Sequence, residues 1–139
     1  MKKLFFACSL IALCFVNLTF AQEKQLKVKK YFAPKYPPAA FAVRARGEVD
    51  VTVEINQDGK VTFARVENGH LLLRKACEDA AKNWTFSSDE EVQKRTEKLT
   101  FAFFVDVNSE RKNYDKPSKF KTKFVKPYRI EIKGTDYYD

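Results

Sequence analysis

The stretch GEVDVTVEI, residues 47–55, decides the fold. Its valines and its isoleucine alternate with acidic residues and a threonine, so an extended chain has one apolar and one polar face. A period of two predicts a half-buried β-strand. Asp58-Gly59 follows, and this pair is typical of a tight reversal because glycine readily adopts the positive φ of such turns. Residues 60–67 are therefore expected to return as the second strand of a hairpin.

The returning strand changes phase along its length. Val61 and Phe63 keep one phase, whereas Ala64 and Val66 keep the other. One extra residue switches the face of everything that follows it, so we predict a β-bulge near Thr62-Phe63. The acidic residues of the first strand are interpreted as a solvated face, because one side of an antiparallel sheet is normally exposed.

A helix and a third strand are predicted further along the chain. Apolar residues recur at helical spacing across residues 71–84, which end on Trp84. Residues 99–107 then alternate as a strand rich in phenylalanine. Cys77 lies among alanines on the apolar helix face, so we interpret it as a buried structural thiol. His70, the only histidine, precedes the helix and is expected at the surface.

The charge and the N-terminus together narrow the class of protein. With 26 Lys and Arg against 18 Asp and Glu, the chain is basic, which alone fits nucleic acid, an anionic surface or solubility. Residues 1–21 begin with two lysines, continue as an apolar run and end with small residues at Thr19 and Ala21. This pattern predicts an export signal that is cleaved after Ala21. An uncleaved membrane anchor is the alternative. Export argues against nucleic acid as a partner.

Changes in composition divide the rest of the chain into three regions. Residues 22–35 are lysine-rich and unpatterned, so we expect a mobile lead-in. Residues 36–107 form the predicted domain, which opens with Tyr36-Pro37 and a short helix. Residues 108–139 form a lysine-rich extension with a candidate strand at 128–133. We expect this strand to pair with residues 99–107 in cis and to block or regulate partner addition, because an exposed Phe-rich edge is an aggregation hazard.

The lysines of the extension have two interpretations. Interleaved with phenylalanines, they form a basic surface for glycans, lipid headgroups or an acidic partner, or they belong to a solvated tail. The residues concerned are Lys112, Lys116, Lys119, Lys121, Lys123 and Lys126.

Five motifs follow one another along the chain: Tyr36-Pro37, Arg46-Gly47-Glu48-Val49, Asp58-Gly59-Lys60-Val61, a helix closing on Trp84-Thr85-Phe86, and a last strand. In this order they resemble the C-terminal domain of the TonB energy transducers. The resemblance covers roughly residues 34–107 and implies an α+β fold. That fold is a three-stranded antiparallel sheet with two helices packed on one face, here with a candidate extra C-terminal strand.

The resemblance also implies a binding site. In the family the last strand lies at the sheet edge and accepts a short extended segment, the TonB box, from an outer-membrane receptor by β-augmentation. Tyr36-Pro37 is expected to lie near this edge. No catalysis, cofactor or metal is implied, so an enzyme is not expected. Carried over to this sequence, the edge strand consists of Leu99, Thr100, Phe101, Ala102, Phe103, Phe104 and Val105.

The functional prediction is an exported, periplasmic, monomeric or weakly dimeric module that binds an extended segment of an outer-membrane receptor or another envelope protein. Transducers of the family retain a membrane helix and a long Pro-rich segment. Here the twelve residues 22–33 reach at most about 40 Å when fully extended. One alternative is a divergent transducer anchored in the inner membrane, which would meet the motor complex there. Another is a stand-alone envelope domain whose basic tail binds glycan or anionic lipid.

Overall fold

The fold consists of two helices on one face of a five-stranded mixed sheet, with a separate two-stranded sheet beside it. The computed structural model describes residues 24–88, 93–105 and 119–135. The elements are β1 (Val28–Lys30), α1 (Pro38–Ala42), β2 (Gly47–Asn56), β3 (Val61–Val66), α2 (Leu71–Lys82), β4 (Thr85–Phe86), β5 (Lys94–Val105), β6 (Lys119–Val125) and β7 (Arg129–Thr135).

The large sheet has the strand order β3-β2-β5-β7-β6. The predicted three-stranded antiparallel sheet is its first part, β3-β2-β5. The candidate C-terminal strand is present as β7, which runs parallel to β5. It is preceded by a strand that the sequence analysis missed, β6, which pairs antiparallel with β7. The α+β class with two helices is thus confirmed, and the sheet has two strands more than its predicted three-stranded part.

The β2–β3 hairpin follows its sequence pattern closely. Gly59 sits in the turn with a φ of +81°, and its N–H donates to the Asn56 carbonyl at 3.0 Å. Glu54 pairs with Phe63 and Ile55 pairs with Val61, so one residue is left over between them. The bulge predicted near Thr62-Phe63 is confirmed, and Thr62 is the extra residue.

The core lies between the helices and the inner face of the sheet. Trp84, two residues after the end of α2, is 1% exposed and donates its indole N–H to the Phe32 carbonyl at 2.9 Å. Cys77 is fully buried, and this burial raises its pKa to about 12, as expected of a structural thiol. The buried sheet residues are Val49, Val51, Val53 and Ile55 of β2, Leu99, Phe101 and Phe103 of β5, and Ile130 and Ile132 of β7.

The prediction of a mobile lead-in at residues 22–35 is wrong for the part that the structure describes. Val28 of β1 pairs with Phe86 of β4, and Leu26 is buried in the core. The ring of Tyr31 stacks on that of Phe124 in β6, with centroids 4.8 Å apart. The lead-in is ordered because it covers apolar surface of distant strands, which no local pattern in residues 22–35 shows.

The proposed export signal, residues 1–21, lies outside the described residues. Within residues 24–88, 93–105 and 119–135, no helix is long and apolar enough to span a membrane.

Candidate functional site

The predicted edge strand, Leu99 to Val105, does not lie at the edge of the sheet. One side of β5 pairs with β2 from Lys94 to Phe103, and the other side pairs with β7 from Thr100 to Val105. The expected pairing of the candidate strand at 128–133 with this strand in cis is thus confirmed, and its reason is the apolar face of β7. Ile130 and Ile132, both fully buried, extend the core face formed by β5 and close it off from solvent. The role of Leu99 to Val105 in partner binding stays a prediction.

The individual residues of that strand differ in how they are covered. Thr100, Phe101, Ala102 and Phe103 pair on both sides, Phe104 and Val105 pair with β7 alone, and Leu99 pairs with β2 alone. The first half of β5, residues 94–99, thus has no described strand on the side that β7 occupies further along.

The structure brings Tyr36 against this strand. Its ring lies edge-on to that of Phe103, with centroids 5.0 Å apart, and stacks on that of Phe120 at 5.4 Å. The hydroxyl donates a hydrogen bond to the Ala45 carbonyl. Burial raises the pKa of Tyr36 to about 12. Tyr36 is thus a neutral packing residue that joins the segment before α1 to both β5 and β6.

An open groove runs beside this contact, and we call it the α2 groove. Its volume is about 980 Å³, and it is lined by residues 32–38, by one side of α2 and by three sheet residues, Phe120, Thr122 and Ile132. Three apolar side chains on its lining stay partly in water: Phe32 is 39% exposed, Leu72 41% and Phe120 41%. Such a patch beside a strand suits an apolar ligand segment.

Strand β6 contributes to this groove and is also the outermost described strand on its side of the sheet. It pairs with β7 through seven consecutive residues without a register shift. Phe120 and Thr122 line the groove, and Phe124 stacks against Tyr31. The alternate residues Lys121 and Lys123 lie exposed on the other face. Among the described residues, β6 therefore forms a regular edge with one apolar and one cationic side.

The outer face of the sheet is balanced in charge at its β2 end. Each acidic side chain of β2 has a basic partner from another strand. The pairs are Glu48 with Arg129 at 2.6 Å, Asp50 with Lys98 at 2.9 Å, and Glu54 with Lys94 at 2.7 Å.

The same face is cationic at its β6 end. Lys121 lies directly opposite Lys133, and Lys123 lies opposite Glu131, which is 3.5 Å from Arg129. Among the described residues, no carboxylate comes within 4.0 Å of the three lysines. The hairpin from 119 to 135 holds six basic residues and one acidic residue, so it concentrates positive charge at one edge.

Asp50 departs from the interpretation of β2 as a solvated charged face, because it is only 8% exposed. Its carboxylate accepts hydrogen bonds from Thr100 and Asn68, both at 2.8 Å, and pairs with Lys98. Burial raises the pKa of Asp50, but the hydrogen bonds from Lys98, Asn68 and Thr100 outweigh it and lower the pKa below the ordinary 3.8. This carboxylate links β2 to β5 and to the turn before α2.

The remaining titratable candidates have structural roles. His70 is exposed at the start of α2, where its Nδ1 accepts a hydrogen bond from the Leu72 N–H at 3.3 Å. The part of the chain that the structure describes contains no group of three or more His, Cys, Asp or Glu that could hold a metal ion.

Comparison with known proteins gives one family and a few relatives. The family described as Gram-negative bacterial TonB protein C-terminal matches residues 33–104. Two curated relatives, one from each of two strains of Xanthomonas campestris pv. campestris, are both named Protein TonB. Each is 42% identical to this chain over 57 residues. That alignment covers 40% of this chain and 26% of each relative, so the chain spans about a quarter of their length.

A solved structure is also similar. The solution NMR structure of Pseudomonas aeruginosa TonB CTD aligns with a TM-score of 0.46 and 23% identity, covering 66% of this chain and 95% of that one. The family match, at residues 33–104, includes β2 to β4 and most of β5. Strands β1, β6 and β7 lie outside them.

Proposed function

The chain belongs to the family of Gram-negative bacterial TonB protein C-terminal domains, and from this membership we propose that it acts as a protein-interaction module of the cell envelope linked to TonB-dependent transport. The module binds an extended segment of an outer-membrane receptor or another envelope protein. Binding occurs by strand addition, in which backbone N–H and C=O groups of a sheet edge pair with the incoming segment. The action is binding without catalysis.

The single observation that carries this proposal is the edge at β6. It is regular over seven residues and has no described strand on its outer side. Two β6 residues, Phe120 and Thr122, line the α2 groove together with Tyr36 and Pro37. Main-chain pairing supplies affinity in this mode of recognition, and pockets for alternate side chains supply specificity. A strand edge without a described neighbour and a groove lie side by side at β6, and this arrangement supports the proposal.

A second route uses β5, the strand that the family resemblance singles out. Its residues from Thr100 to Val105 carry β7 in cis, so a partner would have to displace β7 to reach them. The first half of β5 needs no displacement. The Thr100 N–H donates to the Tyr128 carbonyl at 3.0 Å, and backbone direction alternates along a strand, so Thr96 and Lys98 direct their backbone groups to the same side. In this route β7 acts as a cap on part of the site.

One titration tests the proposal and separates the two routes. The probe is a synthetic peptide with the TonB box of an outer-membrane receptor from the host that encodes the chain. Isothermal titration calorimetry gives the affinity, and amide chemical shifts give the strand that responds. We expect saturable binding with the largest shifts in β6.

Proline substitutions sharpen this test because proline removes a backbone donor. N–H groups alternate in direction along β6, so either Lys121→Pro or Thr122→Pro removes one that faces outward. Thr96→Pro is the matched variant on β5. Loss of binding in one of the β6 variants alone supports the β6 route, and loss in Thr96→Pro alone supports the β5 route. Absence of binding in the unmodified chain overturns the proposal. Thermal melts check that each variant is folded.

We further propose that the module works in the periplasm after cleavage behind Ala21. The support is the pattern of residues 1–21, which combines a basic start, an apolar run and small residues before the cleavage position. The intact mass of the protein recovered from the envelope of its host tests this. A chain that begins at Gln22 supports a soluble periplasmic module. A full-length, membrane-bound chain supports the anchored transducer instead, with the inner-membrane motor complex as a partner.

A further inference from the structure

We propose that the segment added to β6 alternates acidic with apolar residues, its acidic side chains facing Lys121 and Lys123 and its apolar side chains facing the α2 groove. This inference rests on the proposed strand addition at β6 and specifies the chemistry of the partner.

The first step is the geometry of an added strand. Side chains directly opposite each other on neighbouring strands share a face of the sheet, and successive residues of one strand point to opposite faces. A segment paired with β6 therefore places every second side chain beside Phe120 and Thr122, which line the groove. The residues between them come to lie beside Lys121 and Lys123, which are exposed on the outer face.

The second step is the charge on the outer face. Lys121 lies directly opposite Lys133, and like charges facing each other across a ladder are destabilising. At the β2 end of the same face, by contrast, each acidic side chain already has a basic partner. The unbalanced charge is thus confined to the edge where the segment would add. A carboxylate opposite Lys121 relieves this repulsion, and each facing pair of opposite charges is worth up to about fivefold in affinity.

The third step is the opposite side of the added strand. Phe120 is 41% exposed although its ring packs against those of both Tyr36 and Phe41, each with its centroid 5.4 Å away. The exposed part of the ring is therefore fixed in position and costs little side-chain entropy when a ligand covers it. Leu72, across the groove on α2, is equally exposed. Apolar side chains of the incoming segment bury both.

Lysines on an edge strand also have a protective role, because they discourage pairing with another sheet. A second copy of this chain would bring its own lysines against Lys121 and Lys123. The same charge that repels a second copy attracts an acidic segment, so repulsion and attraction both contribute to the choice of partner. Protection from self-association and selection of an acidic partner follow from one arrangement.

Four synthetic octapeptides test the inference on the purified chain: alternating Glu-Val, alternating Lys-Val, alternating Thr-Val, and a block peptide with four Glu followed by four Val. Affinities are measured by NMR titration at low and at high salt. We expect the Glu-Val peptide to bind at least about tenfold more tightly than the Lys-Val peptide at low salt, with a smaller ratio at high salt. The block peptide should bind less tightly than the alternating one.

A charge-reversed variant and its control locate the effect. Lys121→Glu should lower affinity for the Glu-Val peptide by about fivefold or more and raise it for the Lys-Val peptide. Lys60→Glu changes the net charge equally at an exposed residue of the β2–β3 turn, remote in the sheet order from β6, and should leave both affinities unchanged. Both variants should melt as the unmodified chain does.

The outcomes that overturn the inference are distinct from those that overturn the proposed function. Equal binding of the three alternating peptides leaves strand addition intact and refutes the acidic partner. Equal binding of the block and alternating peptides refutes the alternation. If no peptide binds, strand addition at β6 falls as well. If phosphatidylserine vesicles bind in a Lys121-dependent manner while the peptides do not, the cationic edge serves a lipid surface instead.

Discussion

The two edges of the sheet are protected from unwanted pairing in different ways. At one edge, β3 is six residues long and contains a register shift at Thr62. At the other, β6 pairs regularly through seven residues and carries exposed lysines. A bulge bends an edge away from any incoming strand, whereas charge repels only strands of like charge. The bulge is therefore expected to disfavour every incoming strand at β3, whereas the lysines are expected to disfavour only basic strands at β6.

One of these two edge strands lies inside the residues that match the family, and the other lies outside them. Strand β3 lies inside residues 33–104, whereas β6 and β7 lie outside them. Strand β7 pairs with the second half of β5, and β6 pairs with β7. The outermost described strand on this side of the sheet is therefore two strands away from β5. The extension thus supplies the edge that we propose for binding, together with its charge.

The largest expected effect tests whether the β6–β7 hairpin belongs to the core. Ile130 is fully buried opposite Phe101, so Ile130→Ala should reduce the free energy of unfolding by about 2–5 kcal/mol. Urea denaturation followed by the fluorescence of Trp84, the only tryptophan, measures this loss. Labelling of Cys77 reports the same transition, because the thiol is buried in the folded chain.

The control for Ile130→Ala is Lys123→Ala, an exposed truncation in the same hairpin, which should change the unfolding free energy by no more than about 0.5 kcal/mol. Equal effects of the two substitutions would mean that the hairpin is a detachable tail. In that case β5 would be the real edge, and the comparison of β3 with β6 would lose its basis.

The parts of the fold that the sequence predicts are those with local patterns. The β2–β3 hairpin with its bulge, the helix α2 and the strand β5 each have a periodicity that depends only on neighbouring residues. Strand β6 also alternates, as Lys119-Phe120-Lys121-Thr122-Lys123-Phe124, and this period of two was an available signal. Because the lysines dominate its composition, the run favours a basic surface or a solvated tail over a strand.

The features that the sequence does not predict depend on distant partners. β1 is a strand because it pairs with β4, and the ring of Tyr31 is placed by Phe124. Asp50 is buried because Asn68 and Thr100, 18 and 50 residues away, both donate to it. The pairing of β7 with β5 is predicted from the alternation of residues 128–133, but the outermost described strand is β6, which lies beyond the motifs that carry the family resemblance.

The second prediction concerns the balanced end of the outer face. Asp50→Ala leaves Thr100 and Asn68 without their acceptor and should cost about 1–3 kcal/mol of unfolding free energy. Glu67→Gln, at an exposed residue just after β3, is the control and should cost no more than about 0.5 kcal/mol. Equal costs would show that the Asp50 network adds nothing beyond an ordinary surface pair.

The same carboxylate has a predictable dependence on pH. Its pKa is lower in the folded chain than the ordinary 3.8, so its contribution to stability is present above about pH 4. That contribution is lost as the pH falls through the folded pKa. Urea midpoints at pH 7 and near pH 2 should therefore differ more for the unmodified chain than for Asp50→Asn. A parallel decline of both proteins would contradict the lowered pKa.

The smallest expected effect separates protection by charge from protection by geometry. Replacing Lys121 and Lys123 with threonine leaves a regular edge that has lost its repulsion, so self-association through β6 should strengthen by roughly fivefold to tenfold. Arg65→Thr removes a charge from β3, where the bulge at Thr62 remains, and should leave association unchanged. Sedimentation equilibrium at several protein concentrations measures both. If the β3 variant associates as strongly, the bulge does not close that edge. If the β6 variant shows no gain, its lysines do not guard the edge, and their attraction for an acidic segment becomes the sole role that the structure supports.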